Sequence, residues 1–166
     1  MSRLALALAL AGLALTAPAA VAKPRVCSAS VIQQELLDLG KLTGEGVGFG
    51  EIVDVVRCGD VTDDNEADAL FTIASGGTAG DTRFGVLRGG AGGAPAALVL
   101  YRQGYDVGVA RRNGRSFEVI QPHYRSGDAN CCPSSFRMRR YTWTGTHFKA
   151  GSAKKLKRAP RRFYRR

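Results

Sequence analysis

The sequence predicts an α+β protein, in which one N-terminal helix packs on a meandering antiparallel β-sheet that is stapled by disulfides. Apolar residues recur at helical spacing near the N-terminus, and short β-branched runs recur about every ten residues from position 52 onward. Four cysteines accompany these patterns. We expect residues 1–22 to be a signal peptide, residues 23–150 to form a single domain and residues 151–166 to be a disordered basic tail.

The first element is the secretory signal. Arg3 precedes an apolar run at residues 4–15, and small residues lead up to Ala22. The run is too short to cross a bilayer, which takes about 20 residues, and no second run follows it. The sequence therefore predicts a mature chain that is secreted or associated with the cell envelope and has no transmembrane span. Cys27 follows Pro24-Arg25-Val26 rather than small apolar residues, which disfavours a lipid anchor.

A helix and a series of strands follow the signal. Residues 28–42 place apolar side chains near helical spacing, and the glycine-rich stretch after Leu42 is typical of a loop. Predicted strands span Ile52 to Arg57, Ala69 to Ala74, Ala96 to Tyr101, Tyr105 to Arg111, Ser116 to Gln121, Phe136 to Trp143 and His147 to Lys149. Residues 112–115 and 144–145 are predicted hairpin turns. We expect residues 75–95 to form a long loop, with one brief extended piece at 84–87.

The cysteines predict two disulfides, because bridges are stable in an oxidising compartment. They are Cys27, Cys58, Cys131 and Cys132. A bridge between neighbouring cysteines departs from ordinary disulfide geometry. We therefore expect Cys131 and Cys132 each to pair with Cys27 or Cys58, in either combination. The spacing of the two histidines disfavours a zinc site as the alternative.

An acidic stretch between the first two predicted strands has the spacing of a calcium loop. Its candidate ligands alternate along the chain and are Asp60, Thr62, Asp64, Glu66 and Asp68. Ca²⁺ takes six to eight oxygen ligands, and Asn65 suits the left-handed position that such loops need. Phe71 stands where an EF-hand has its last ligand, which excludes that motif. A metal-free turn, in which Asp and Asn bond their own backbone, is the alternative.

This acidic stretch resembles the D-x-[NT]-x-D-G-x-x-D loops of FG-GAP and VCBS-type repeats, in a single copy. Roughly residues 50–150 are similar to exported actinobacterial proteins of the LppP/LprE type. The resemblance rests on Cys58-Gly59-Asp60, Cys131-Cys132-Pro133-Ser134 and Tyr141-Thr142-Trp143. That family has no established activity, so the resemblance implies a fold and a compartment but no reaction.

The charge is concentrated in the predicted tail. The formal net charge is +10, and residues 151–166 contain eight basic residues and no acid: Lys154, Lys155, Lys157, Arg158, Arg161, Arg162, Arg165 and Arg166. Without these and Arg3, residues 23–150 keep 15 of the 24 basic residues against 14 acidic ones. We expect the tail to bind an anionic envelope polymer or lipid surface rather than nucleic acid. A tail that only keeps the protein in solution is the alternative.

These patterns favour a non-catalytic protein of the cell envelope. The alternative is a secreted hydrolase that uses the carboxylates of residues 60–68, or His123 with Ser134 or Ser135. Aromatic residues are predicted on the strands and near their ends: Tyr101, Tyr105, Phe117, Tyr124, Phe136, Tyr141, Trp143 and Phe148. Packing explains most of them, and a carbohydrate-binding or peptide-binding face made by the outward-pointing ones is the alternative.

Overall fold

The computed structural model describes residues 22–111 and 114–164. Within these ranges the chain forms two α-helices and nine β-strands. The helices are α1 (Ala29–Asp38) and α2 (Gly44–Gly48). The strands are β1 (Ile52–Gly59), β2 (Asp68–Ala74), β3 (Asp81–Gly89), β4 (Pro95–Gln103), β5 (Gly108–Arg111), β6 (Ser116–His123), β7 (Ser135–Trp143), β8 (Phe148–Ala150) and β9 (Lys154–Leu156). The predicted α+β class is confirmed. The predicted signal peptide lies outside the described residues except for Ala22.

The first sheet has the strand order β1-β2-β3-β4, with antiparallel neighbours. The prediction of a long loop at residues 75–95 was wrong, because β3 is a full central strand. The glycines of β3 are typical of a loop, so the sequence pattern did not indicate a strand there. A side chain on Gly85 would come within 2.6 Å of the Leu100 carbonyl oxygen and of the Phe71 ring, so this glycine allows close packing inside the sheet rather than marking a loop.

The second sheet has the order β5-β6-β7-β8, and β9 pairs with β7 beside β8. The predicted meander is therefore divided between two sheets, which contribute to one apolar core. Leu70 and Phe84 of the first sheet lie in the same buried cluster as Phe117 and Trp143 of the second. The Phe84 and Phe117 rings meet edge to face, with centroids 6.4 Å apart. This shared core fixes the sheets against each other.

The N-terminal helix covers the other face of the first sheet. Ile32 and Leu36 of α1 are buried in a second apolar cluster with Phe71 and Ile73 of β2. This packing explains why the apolar residues of the predicted helix recur at helical spacing. The short helix α2 replaces part of the predicted glycine-rich loop, and the Thr43 hydroxyl caps it by accepting a hydrogen bond from a backbone N–H at 3.0 Å.

The predicted disulfide pairing was wrong. Cys27 is bonded to Cys58, with the Cα atoms 5.5 Å apart, and Cys131 is bonded to Cys132. The fold explains this pairing. Cys27 is buried where the chain enters α1 and lies beside the end of β1, whereas the adjacent pair lies in the exposed connection between β6 and β7. The two pairs lie in different parts of the fold, one beside the first sheet and one in a connection of the second.

The predicted disordered tail is instead part of the fold as far as Tyr164. Strand β9 pairs with residues 136–138 of β7, and a 3-10 helix follows at Arg161–Phe163. Phe163 is 5 % exposed and packs in a third apolar cluster with Ala110 and Ile120. The tail has few apolar residues of its own, but pairing with the edge of β7 adds backbone hydrogen bonds. Across residues 22–111 and 114–164, no helix has the length and apolarity needed to cross a membrane.

Candidate functional site

The acidic loop lies between β1 and β2 and wraps around one carboxylate. Asp60 accepts hydrogen bonds from the backbone N–H groups of Asp63 and Asn65. Asp63 and Asn65 both adopt left-handed backbone conformations, with φ of 60° and 65°. Asp and Asn tolerate this region better than other residues with side chains. The sequence therefore makes a tight turn that directs several carboxylates toward one another.

Asp68 closes the loop from inside the fold. Its side chain is buried, and Oδ2 accepts bonds from the backbone N–H groups of Val61 and Thr62, both at 2.9 Å. Oδ2 also accepts from the Thr62 hydroxyl at 3.0 Å, and Oδ1 accepts from the Gly89 N–H at 3.1 Å. Burial raises the pKa of the Asp68 carboxyl, against the opposing effect of these four hydrogen bonds. This side chain ties the loop to the ends of β2 and β3.

Three of the five predicted ligands come together. Asp60, Asp64 and Asp68 each offer a carboxylate oxygen, and these oxygens lie within 4.8 Å of one another, so the group could hold a metal ion. The Thr62 hydroxyl is directed to Asp68 as a donor, and Glu66 lies outside the group. The oxygen donors suit a hard divalent cation, although the protein's own N–H groups already use part of the lone-pair capacity of Asp60 and Asp68.

Two arginines flank the acidic loop. Arg115 forms an ion pair with Asp63, and the Arg88 Nε lies 4.0 Å from Asp64 Oδ2. Both pairs are partly exposed, so each contributes little to stability. They reduce the negative charge at the rim of the loop and leave the inner carboxylates facing one another.

A second group of charged side chains lies on the second sheet. Strand pairing places Gln121 opposite Arg137 and Arg137 opposite Lys155, in a row across β6, β7 and β9. Arg139 lies two residues further along β7 and therefore projects from the same face as Arg137. A cavity of about 250 Å³ lies over this face and is lined by Val119, Gln121, Arg137, Arg139 and Tyr141. We call this cavity, together with Lys155, the cationic groove.

The groove lacks the neutralising partners that the opposite face of the sheet has. On that opposite face, the buried Glu118 receives Arg140 at 3.4 Å and Arg162 at 3.1 Å. In the groove, no acidic side chain among residues 22–111 and 114–164 forms an ion pair with Arg137, Arg139 or Lys155. Like charges directly opposite each other across strands are destabilising. The groove therefore concentrates positive charge, and a bound anion would reduce the repulsion between these side chains.

The two groove arginines are held by neighbours that carry no negative charge. The Arg137 Nη2 group donates to His123 Nε2 at 3.2 Å, which requires that nitrogen to be the unprotonated one. The Arg139 Nη1 group donates to the Gly151 carbonyl at 3.4 Å. Each guanidinium keeps further N–H donors in its planar fork, which matches the oxygens of a carboxylate or phosphate group.

The predicted anion-binding residues of the tail do not form one surface. Lys155 joins the groove, Lys154 lies opposite Met138 on the other face, and Arg162 is bonded to Glu118. Arg165 and Arg166 lie outside the described residues, and the remaining members are exposed: Lys157, Arg158 and Arg161. Arg137 and Arg139 were not among the predicted anion-binding residues. Their alternation along a predicted strand was the available signal, because it places both side chains on one face.

The histidine and serines of the hydrolase hypothesis are not hydrogen-bonded to one another among the described residues. His123 lies opposite Ser135 in the β6–β7 register, but its Nε2 accepts from Arg137. The Ser135 hydroxyl is buried without a hydrogen-bond partner among the described residues. The Ser134 hydroxyl donates to Asp128 at 2.6 Å. The structure thus brings His123 and Ser135 close together without joining them as a base and a nucleophile.

Comparisons with protein-family models, with curated proteins and with solved structures give no match for this chain.

Proposed function

We propose that this chain is a non-catalytic, exported protein of the cell envelope, which binds an anionic envelope polymer or lipid surface through the cationic groove. The observation that carries the proposal is the placement of Arg137 opposite Lys155, next to Arg139, with no acidic partner among the described residues. A fold that sets like charges side by side loses stability unless a ligand of opposite charge compensates for it.

The chemistry of the groove favours phosphate or carboxylate groups. Arginine binds such groups through two parallel hydrogen bonds, which gives both geometry and strength. All three cations are exposed, so a single anion would bind weakly and salt would screen it. A polymer or lipid surface presents many such groups, and repeated engagement raises the overall affinity without any new contact.

We further propose that the acidic loop holds Ca²⁺ in a structural role. The carboxylates of Asp60, Asp64 and Asp68 supply charged oxygen ligands, and backbone carbonyls or water would complete the shell. A divalent cation favours the ionised form of Asp68, whose burial otherwise favours the protonated form. The loop joins two strands at a turn, so the bound ion would stabilise that turn.

The location is proposed from the N-terminal segment. Its charged start, short apolar run and small residues have the pattern of a signal peptide. The disulfide between Cys27 and Cys58 agrees with an oxidising compartment. The resemblance to LppP/LprE-type exported proteins supports the same location.

The proposal is tested with the mature chain on anionic lipid vesicles and, separately, on isolated wall polymer. The double variant Arg137→Gln/Arg139→Gln should lose retention on at least one of these surfaces. The matched control is Lys154→Gln/Arg158→Gln, which removes the same charge from exposed positions outside the groove. The control should retain most of the binding. Equal loss in both double variants would show that only net charge matters and would contradict the proposal.

A further inference from the structure

We propose that the chain also contains a binding pocket for a neutral saccharide, formed at one end of the second sheet by aromatic side chains and the disulfide between neighbouring cysteines. The pocket has a volume of about 410 Å³, which falls in the range of small-molecule sites. Its lining includes aromatic residues, a disulfide cysteine and three polar residues: Tyr105, Tyr124, Phe136, Tyr164, Cys131, Thr78, Asp106 and Asn130. We call it the aromatic pocket. It lies apart from the cationic groove in its lining residues and goes beyond the anion-binding function proposed above.

Four segments of the chain meet to form the pocket. They are the β2–β3 connection, the β4–β5 connection, the β6–β7 connection and the C-terminal segment that follows β9. Binding residues commonly lie on loops that a rigid sheet positions in this way. Because the C-terminal segment supplies Tyr164, the packing of Phe163 against the sheet also positions a wall of the pocket.

Hydrogen bonds hold the pocket walls in place. The Tyr164 hydroxyl donates to the Asp106 carbonyl at 2.9 Å, and the Tyr124 hydroxyl donates to the Asn130 carbonyl at 2.7 Å. Asp128 fixes the same connection by accepting from the Ser134 backbone N–H at 2.9 Å and from the Ser134 hydroxyl. The walls are therefore positioned before any ligand arrives, which lowers the ordering cost of binding.

The aromatic surfaces of the pocket remain open to solvent. Tyr105 is 45 % exposed and Tyr164 is 38 % exposed, although both are large and largely apolar. Tyr105 and Tyr124 meet edge to face, with centroids 6.0 Å apart. Several exposed aromatic rings gathered around one concavity are characteristic of a binding site rather than of a packed core.

The adjacent disulfide adds to this surface. A bond between Cys131 and Cys132 closes a small ring that includes the peptide bond between them, and this ring restricts the backbone of the connection. Both residues are exposed, and Cys131 lines the pocket. Sulfur is soft and polarisable and makes favourable contacts with apolar groups. The disulfide thus gives the pocket a rigid apolar wall.

The lining favours an uncharged ligand with alternating apolar and polar faces. Aromatic rings carry a negative face that attracts the C–H groups of a sugar ring, while amide, hydroxyl and phenol groups can bond its hydroxyls. Burial raises the pKa of the Tyr164 phenol and desolvation raises that of Tyr124, so both phenols stay neutral. Each already donates its one proton inside the protein, so toward a sugar hydroxyl each phenol oxygen acts as an acceptor. The lining includes one acidic residue, Asp106, and none of its described residues is Lys or Arg. It therefore disfavours an anion, which separates this pocket from the anion-binding groove.

The test titrates the mature chain with neutral N-acetylglucosamine and glucose oligomers, using calorimetry or NMR. We expect saturable binding of at least one oligomer at millimolar concentration. Tyr105→Ala should weaken it about tenfold, because truncation of an aromatic contact in a small site has an effect of this order. Tyr105→Phe keeps the ring and should retain most of the affinity. Phe49→Ala is the matched control, because Phe49 is an equally large aromatic that is 75 % exposed elsewhere.

The outcomes separate this pocket from the cationic groove. Arg137→Gln/Arg139→Gln should leave saccharide binding unchanged, so failure of either proposal does not carry over to the other. Cys131→Ser/Cys132→Ser should weaken saccharide binding without abolishing folding. A folded chain that binds no oligomer, binding that Tyr105→Ala leaves unchanged, or preference for a proline-rich peptide over every saccharide would overturn the inference.

Discussion

Replacing Asp68 by alanine should destabilise the fold more than any other single change in the acidic loop. The substitution removes the acceptor of four hydrogen bonds and leaves the backbone N–H groups of Val61, Thr62 and Gly89 without that partner. Each buried donor left unsatisfied costs about 1–3 kcal/mol. The variant also no longer buries a carboxyl whose ionised form is disfavoured by burial, and this gain offsets part of the lost stability. We therefore expect Asp68→Ala to lower the free energy of unfolding by about 3 kcal/mol.

Two companion variants show whether hydrogen bonding is the cause. In Asp68→Asn, the amide oxygen can still accept from Val61 and Thr62, but the bond from Gly89 is lost. This variant should therefore lower the free energy of unfolding by about 1 kcal/mol. Asp64 is exposed and accepts one bond, from the Glu66 N–H at 3.0 Å. Asp64→Ala should cost about 0.5 kcal/mol or less in chelator. Urea unfolding of the three variants in chelator measures these differences. Equal stability of Asp68→Ala and Asp64→Ala would show that the Asp68 hydrogen bonds do not stabilise the loop.

Three further predictions follow from the same structure. Calcium should raise the melting temperature of the wild type and not that of Asp64→Ala, because a ligand that binds only the folded state stabilises it; an equal rise in both proteins would count against the loop as the site. In chelator, stability should fall as pH rises above 3.8, because the folded state holds the Asp68 proton more tightly than the unfolded state. Asp68→Asn should remove that slope, as judged by urea unfolding across the pH range. Phe163→Ala should cost about 3–4 kcal/mol, because its ring is buried in one cluster with Ala110 and Ile120; a cost below about 1 kcal/mol would show that the C-terminal segment is not docked.

The pH prediction has a second contributor of opposite sign. Hydrogen bonds from Ser134 and Arg125 lower the pKa of the Asp128 carboxyl. This group therefore contributes stability that is present above pH 3.8 and is lost as pH falls below it. The change in stability due to Asp68 occurs above pH 3.8 and that due to Asp128 occurs below it. Unfolding measurements across the pH range therefore distinguish the two.

Local patterns in the sequence predicted most of the regular structure. The β-branched runs gave seven of the strands near their observed positions, and helical spacing gave α1. Strand β3 was missed because Gly85 lies in close contact with Phe71 and Leu100, and these contacts exist only in the folded sheet. The tail was missed for a similar reason, since Leu156 and Phe163 gain their partners from strands distant in sequence.

The candidate sites differ in how far local patterns determine them. The acidic loop is local, so its spacing predicted that Asp60, Asp64 and Asp68 would converge. The cationic groove depends on the register that places Lys155 opposite Arg137, and this register follows from tertiary pairing. The disulfide pairing likewise follows from the tertiary fold, which places Cys27 beside Cys58 and away from Cys131 and Cys132.

The most direct test of the proposed function is to locate the anion contact on the mature chain. NMR chemical shifts of backbone amides and arginine Nε groups would be followed during titration with a short polyphosphate at moderate salt. We expect the largest changes at Gln121, Arg137, Arg139 and Lys155, and we expect added salt to reduce them together. Equal changes at the exposed cations Lys157, Arg158 and Arg161 would show a diffuse charge effect and contradict the groove.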